Sequence, residues 1–195
     1  MKFLITGITG FAGPHLANLL HARGHEVYGL IRRTNGMESD IRDVVPDDVY
    51  EDITFVYGEL TNYRSLVTIF KDTQFDGVFH LAAQSHPPTS FRDPIGTMDT
   101  NVMGSANLFQ VIQDFQDNCK VMFCSTSEVY GNVGSDGRKI RWDDTILPSN
   151  PYGASKAATD VYLQERFANR FMKGFITRAF SHTCLLYTSP SPRDS

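Results

Sequence analysis

The chain has 195 residues, 41% of them hydrophobic and 21% charged, which is enough for one sizeable core and, by length alone, one domain. A formal net charge of −4 argues against a general nucleic-acid binder and confines any phosphate-binding basic site to a local pocket. No apolar run approaches a membrane span and no charged-then-apolar leader opens the chain, so a cytoplasmic protein without membrane partners is expected. Cys119, Cys124 and Cys184 are odd in number and lack metal-ligand spacing, and His15, His21, His25, His80, His86 and His182 are scattered. Reduced structural thiols and no metal site are the expectation.

Lys2–Thr6 reads as a short buried strand, and Phe11, Leu16, Leu19 and Leu20 recur at helical spacing after it. Gly7, Gly10 and Gly13 lie between them, so a tight strand-to-helix turn is expected. Glycines serve such a turn because side chains would block positive φ values and keep a ligand from the backbone. The N–H groups and positive dipole end of the new helix suit a pyrophosphate. The G-x-x-G-x-x-G turn, including Phe11 and Ala12, is therefore the candidate dinucleotide site. Pro14 suits a first helical turn, where its missing N–H costs no hydrogen bond.

Further strands are expected at His25–Ile31, Ile53–Tyr57, Gly77–Ala82, Val121–Ser125 and Gly174–Phe180. Helices are expected at Tyr63–Phe70, from about Pro94 to Phe115, and at Pro151–Arg170. Near-continuous apolar strands alternating with helices imply an α/β fold: a doubly wound parallel sheet of Rossmann type, with ligands at the carboxyl ends of its strands. Asn132–Asn150, rich in Gly, Asp and Pro, reads as an irregular functional loop over the site.

NAD sites usually place an Asp or Glu near the end of the second strand, but this chain has Arg32 and Arg33 there. A guanidinium binds a 2′-phosphate bidentately where a carboxylate repels it, so the pair favours NADP over NAD; the alternative is a solvated basic turn. Farther on, "PYGASKAA" puts Tyr152 and Lys156 four residues apart on a helix, hence on one face. A neighbouring ammonium favours the phenolate, so the expectation is a Tyr152 with a lowered pKa, useful as a base, and a Lys156 that also holds the nicotinamide ribose. "CSTSEVYG" brings Ser125, Thr126, Ser127 and Glu128 to the ligand-binding edge, with capping of backbone by Thr126 and Ser127 and a solvated Glu128 as the bland alternative.

The stretches "GITGFAG", "GLIRR", "HLAAQSH", "STSEVYG" and "YGASK" give residues 1–183 a resemblance to the extended short-chain dehydrogenase/reductases, closest to their GDP-mannose 4,6-dehydratase family. The resemblance implies that Thr126 hydrogen-bonds the reacting sugar hydroxyl and that Glu128 serves as base and then acid. It also implies a nucleotide-sugar substrate, with GDP-mannose the expected one, and a homo-oligomer at full length. Glu59 and Leu60 match a position beside the adenine, although the family commonly has Asp-Leu there; Leu81, Ala82 and Ala83 match a stretch beneath the cofactor or serve as strand-end packing. Ser85, with Ser127 a candidate substrate contact, and His86 meet sugar or phosphate or belong to a rigid loop; Asn101 holds a site water or caps backbone. A nucleotide-sugar epimerase or 4-keto reductase on the same scaffold, or a cofactor-binding fragment without turnover, is the competing reading. After Thr183 the resemblance breaks: Ser181 replaces an asparagine common in related enzymes, and residues 184–195 read as a non-native tail where a C-terminal substrate domain is expected.

Overall fold

The computed structural model describes residues 1–32 and 39–180. Arg33, Ser181, His182, Cys184 and the tail, all singled out from sequence, lie outside the described residues. The elements run β1 (Lys2–Thr6), α1 (Gly13–Ala22), β2 (Glu26–Ile31), α2 (Ser39–Arg42), α3 (Asp47–Asp52), β3 (Thr54–Tyr57), α4 (Tyr63–Asp72), β4 (Gly77–His80) and α5 (Pro87–Arg92). They continue with α6 (Pro94–Met98), a π-helical turn (Asp99–Met103), α7 (Gly104–Phe115), β5 (Lys120–Thr126), a 3-10 turn (Ser127–Tyr130), α8 (Pro151–Ala168) and β6 (Lys173–Ala179).

The strands form one sheet in the order β3-β2-β1-β4-β5-β6. Every pairing is parallel, in register from Phe3↔Gly77 and Phe3↔Val27 outward to Thr126↔Ala179. The order reverses between β1 and β4, and a doubly wound sheet opens its ligand crevice at such a switch, outside the carboxyl strand ends. The expected Rossmann-type architecture is therefore the one found.

Alternation along the strands feeds two cores. Leu4 and Leu30 join Leu66, Phe70, Leu108, Phe109 and Leu163 on one face, where α4, α7 and α8 lie; Ile5 and Ile31 join Ala17, Leu20, Val49 and Ile53 on the other. Each fully buried Leu, Ile or Phe contributes roughly 1.5–3 kcal/mol.

Several local expectations are corrected. Phe11 and Leu19 are exposed, and α1 buries Pro14, Ala17 and Leu20 instead, since Phe11 precedes the helix and the apolar face is narrower than its sequence pattern. "SHPPTSF" is not all loop: Pro87 and Pro88 occupy the first turn of α5, where they need no N–H partner. Short helices α2 and α3 lie between β2 and β3 without having been expected. The single long helix over Pro94–Phe115 is broken in its ladder by the π turn, and β4 ends at His80, which leaves Leu81 and Ala82 in the following loop.

Candidate active site

The carboxyl ends of β1, β2, β3, β4 and β5 open into a cavity of about 690 Å3. Its wall is built by two different means. On the β1 side it is backbone. Gly7 has φ +75°, and a Cβ there would lie 2.7 Å from the Ala82 nitrogen, so only glycine fits both the conformation and the close approach. The Gly10 N–H closes the turn on the Gly7 carbonyl at 3.0 Å. Ala12 caps α1 without any side-chain hydrogen bond, and no acidic residue sits in the first turn. The first N–H groups of α1 are thus left without a side-chain cap beside a cavity that Gly10, Phe11 and Ala12 line, as an anionic phosphate requires.

Gly13 departs from its expected role. It does not line the cavity: a Cβ there would meet the Gly7 oxygen and the Ile8 backbone at 2.5–2.6 Å, so this glycine lets α1 pack on the turn. Arg32 lines the cavity just past β2, as do Glu59 and Leu60 past β3 and Leu81, Ala82, Ala83 and Ser85 past β4. Leu60 is gripped from behind, its carbonyl accepting from Asn107 Nδ2 at 2.9 Å while a Cβ on Gly104 would come within 3.0 Å of its own Cβ.

On the β5 side the wall is made of side chains, several of them fastened by neighbours. Thr126, Ser127, Glu128, Tyr152 and Lys156 all line the cavity. Thr126 caps the 3-10 turn, accepting from the Glu128 N–H at 3.3 Å, and its hydroxyl also bonds Tyr152. Capping and a site position are thus one arrangement rather than alternatives. Glu128 is half-buried, and its Oε2 accepts from Asn150 Nδ2 at 2.9 Å. Asn150 in turn starts α8 by accepting the Gly153 N–H at 2.7 Å, so one side chain ties the carboxylate to the helix that carries Tyr152 and Lys156. Gly153 permits this, because a Cβ there would lie 2.7 Å from the Glu128 carbonyl oxygen.

Lys156 is 3% exposed, and burial lowers its pKa to about 8, with Asp160 one turn on and Cys124 pulling the other way. Its ammonium lies 4.2 Å from the Phe123 ring centre. The Tyr152 pKa is raised, not lowered: burial dominates and the Thr126 hydrogen bond opposes it. The expected lowering is thus not found in this arrangement: burial raises Tyr152, and the Lys156 ammonium lies over the Phe123 ring.

Asn101 holds structure rather than cavity. Its Oδ1 accepts from the Gln84 N–H at 2.7 Å, and its Nδ2 donates to the Gln84 carbonyl at 3.0 Å and to Ser155 Oγ at 2.9 Å. His86 also stays off the cavity, bonded to Thr89 Oγ1 at 2.9 Å. None of residues 132–150 lines the cavity, and the irregular segment meets a cavity side chain through Asn150. Sequence reasoning passed over Asn150, Gln84, Thr100 and Cys124. Asn150 alone carried a signal, an N-cap residue just ahead of Pro151.

A parallel sheet whose glycine turn and Tyr/Lys helix meet in one cavity defines the extended short-chain dehydrogenase/reductase class. The family model for GDP-mannose 4,6-dehydratase matches residues 4–189, and the chain belongs to that family. It is similar to the GDP-mannose 4,6-dehydratase of Vibrio cholerae, 36% identical over 80% of this chain and 42% of the relative, and to that of Homo sapiens, 32% identical over 78% and 42%. The chain thus spans less than half the length of these relatives. Among solved structures it resembles UDP-glucose 4-epimerase of Thermus thermophilus in complex with NAD, with 29% identity, TM-score 0.79, and coverage of 91% of this chain and 54% of that one. It also resembles the dTDP-glucose 4,6-dehydratase DesIV of Streptomyces venezuelae, with 28% identity, TM-score 0.76, and coverage of 91% and 55%.

Proposed function

We propose that these residues form the cofactor-binding and catalytic part of a nucleotide-sugar 4,6-dehydratase that takes GDP-mannose and prefers NADP. The observation that carries this reading is a carboxylate, Glu128, fastened by Asn150 on the same cavity wall as Thr126, Tyr152 and Lys156. A nicotinamide dinucleotide held there would supply hydride acceptance from carbon 4 of the sugar and hydride return to carbon 6. Gly7, Gly10 and Ala12 offer backbone to its pyrophosphate, Glu59 and Leu60 flank the adenine, Leu81 to Ala83 run beneath it, and Lys156 reaches the ribose.

Tyr152 takes the carbon-4 hydroxyl proton, and Thr126 orients that hydroxyl. The resulting ketone acidifies carbon 5; Glu128 removes that proton and passes one to the departing carbon-6 hydroxyl, so water leaves, and carbon 5 takes a proton from solvent as the hydride returns to carbon 6. A site with Tyr and Lys alone oxidises a sugar alcohol but has no placed group for the elimination. Asn150 supports this role by donating to Glu128 Oε2, which fixes the orientation of the carboxylate.

The resemblance to epimerases, including CDP-paratose 2-epimerase of Salmonella typhi at 28% identity over 95% of this chain, supports a second reading in which Glu128 is idle. Glu128→Gln decides between them. In a chimera joining residues 1–180 to the remainder of a full-length relative, turnover is expected to fall about 10²–10⁴-fold with loss of solvent deuterium incorporation at carbon 5. Near-parental exchange and dehydration by that variant would falsify the elimination role. For the cofactor, NADPH titration of the chain itself is expected to give tighter binding than NADH, and Arg32→Ala to erase about tenfold or more of the preference. Equal affinities before substitution reject the phosphate assignment.

A further inference from the structure

Beneath the cavity a buried histidine has no part in the chemistry above. His80 is fully buried at the end of β4, its ring stacked 5.6 Å from Phe123 and edge-on to Phe109 at 5.7 Å. Its Nδ1 lies 2.7 Å from Thr6 Oγ1 and its Nε2 lies 2.8 Å from Ser105 Oγ. These neighbours fix the tautomer. Ser105 spends its single hydroxyl proton on the Asn101 carbonyl at 2.5 Å, so toward His80 it can only accept, and Nε2 carries the proton. Nδ1 of the neutral ring is then an acceptor, and the Thr6 hydroxyl donates to it while accepting the Ala82 N–H at 3.2 Å. Burial agrees, lowering the His80 pKa to about 3, with Lys156 adding to the effect.

The result is one chain of donors pointing the same way: Ala82 N–H to Thr6, Thr6 to His80, His80 to Ser105, Ser105 to the Asn101 carbonyl. Both ends matter. Ala82 nitrogen is the atom that bars a side chain at Gly7, so the first link sits against the dinucleotide turn. At the last link the Asn101 carbonyl, in the π turn, also accepts from Thr159 Oγ1 at 3.0 Å, while the Asn101 side chain donates to Ser155 at 2.9 Å. Ser155 and Thr159 flank Lys156 on α8. The chain ends on a carbonyl without a donor, so it moves no proton. It fixes distances.

We propose that His80 is a positioning residue that couples the glycine turn after β1 to the Tyr152 and Lys156 face of α8, through a one-way hydrogen-bond chain running by Thr6, Ser105 and Asn101. The functional half of this inference rests on the dinucleotide reading above; the mechanical half does not. Each bond in such a chain polarises the next, so losing one end loosens the other.

Two measurements need no ligand. Nitrogen-15 NMR of the 195-residue chain at neutral pH is expected to find the His80 proton on Nε2; a proton on Nδ1 overturns the arrangement. Ser105→Ala is expected to speed hydrogen exchange at the Ala82 amide several-fold more than at the neighbouring β4 amides, although Ser105 touches neither. Uniform acceleration across β4 reduces His80 to packing and overturns the proposal. With NADPH as probe, His80→Phe keeps the ring but deletes both bonds, and affinity is expected to drop about tenfold. Thr6→Val, which removes a single link with nearly the same volume, reports the same loss should the Phe variant fail to fold. Unchanged affinity in both variants overturns the coupling. No NADPH binding by the unsubstituted chain counts against the dinucleotide reading instead, and the tautomer and exchange results still decide the link.

Discussion

The two walls of the cavity reach the same end by opposite means. The β1 wall is read through backbone: two glycines, Gly7 and Gly10, a helix start without a side-chain cap, and no group whose identity matters beyond its size. The β5 wall is read through side chains, and its reactive ones are pinned, Glu128 by Asn150, Tyr152 by Thr126, and the helix carrying Lys156 by the Asp160–Arg178 pair. Backbone binds whatever presents oxygen anions at the right spacing, whereas placed side chains discriminate among reactions. One wall serves many enzymes of a fold. The other decides which enzyme it is.

The contrast breaks most visibly at Asp160. This carboxylate is fully buried and bidentate with Arg178 at 2.9 and 3.0 Å, and Arg178 also donates to Tyr130 and to the Trp142 carbonyl, both at 2.8 Å. Burial pushes its pKa up, but bonds from Arg178 and Gln164 outweigh this and hold it below the ordinary value. Asp160→Ala strands the guanidinium, with an expected loss of about 3–5 kcal/mol in urea unfolding; a loss under about 1 kcal/mol means the β5 wall is not held there.

Lys156 should leave its mark on pH. Its folded pKa is about 8 against an ordinary 10.5, so between those values the unfolded chain binds the extra proton and stability rises with pH, by about 3 kcal/mol in all. Urea unfolding at about pH 7.5 and about pH 10 measures it, with Lys156→Met expected to abolish that part of the slope. An identical slope in the variant assigns the effect elsewhere.

The backbone wall gives a smaller, paired test. Gly13→Ala pushes a Cβ into the Gly7–Ile8 backbone and is expected to cost about 1–3 kcal/mol. Gly10→Ala, whose nearest obstacle is the Gly7 oxygen at 3.2 Å, is expected to spare thermal stability and weaken NADPH binding. Reversed effects would exchange the roles of the two glycines. Smallest of all, Asn150→Ala should cost about 1 kcal/mol as a lost helix cap, with reduced Glu128 reactivity in the chimera as the larger consequence.

How much of this was legible follows the same division. Strand alternation and glycine spacing are local properties, so the sheet, its order of alternation with helices and the β1 turn could be read directly. The Tyr152/Lys156 pair was legible as a spacing, but its proton affinities were not, because burial against Phe123 is set by residues far away in sequence. Gly13 shows a related ambiguity: packing and binding both demand glycine, and sequence alone does not separate them. Helix α5 was obscured by two prolines that signal a turn and a first helical turn equally well. The π turn carries no sequence signature.

That turn has one more consequence. Inserting an extra residue into a helix advances everything beyond it by about 100° around the axis. The rod from Pro94 to Phe115 is therefore two rods out of phase, with α6 and the π turn set against α8 and α7 set against α4. A helix of constant pitch presents one stripe to one neighbour. This one turns its stripe partway along, serving the site with its first half and the deep core with its second. Deleting one residue among 99–103 would restore a regular screw and would force a choice between those two neighbours.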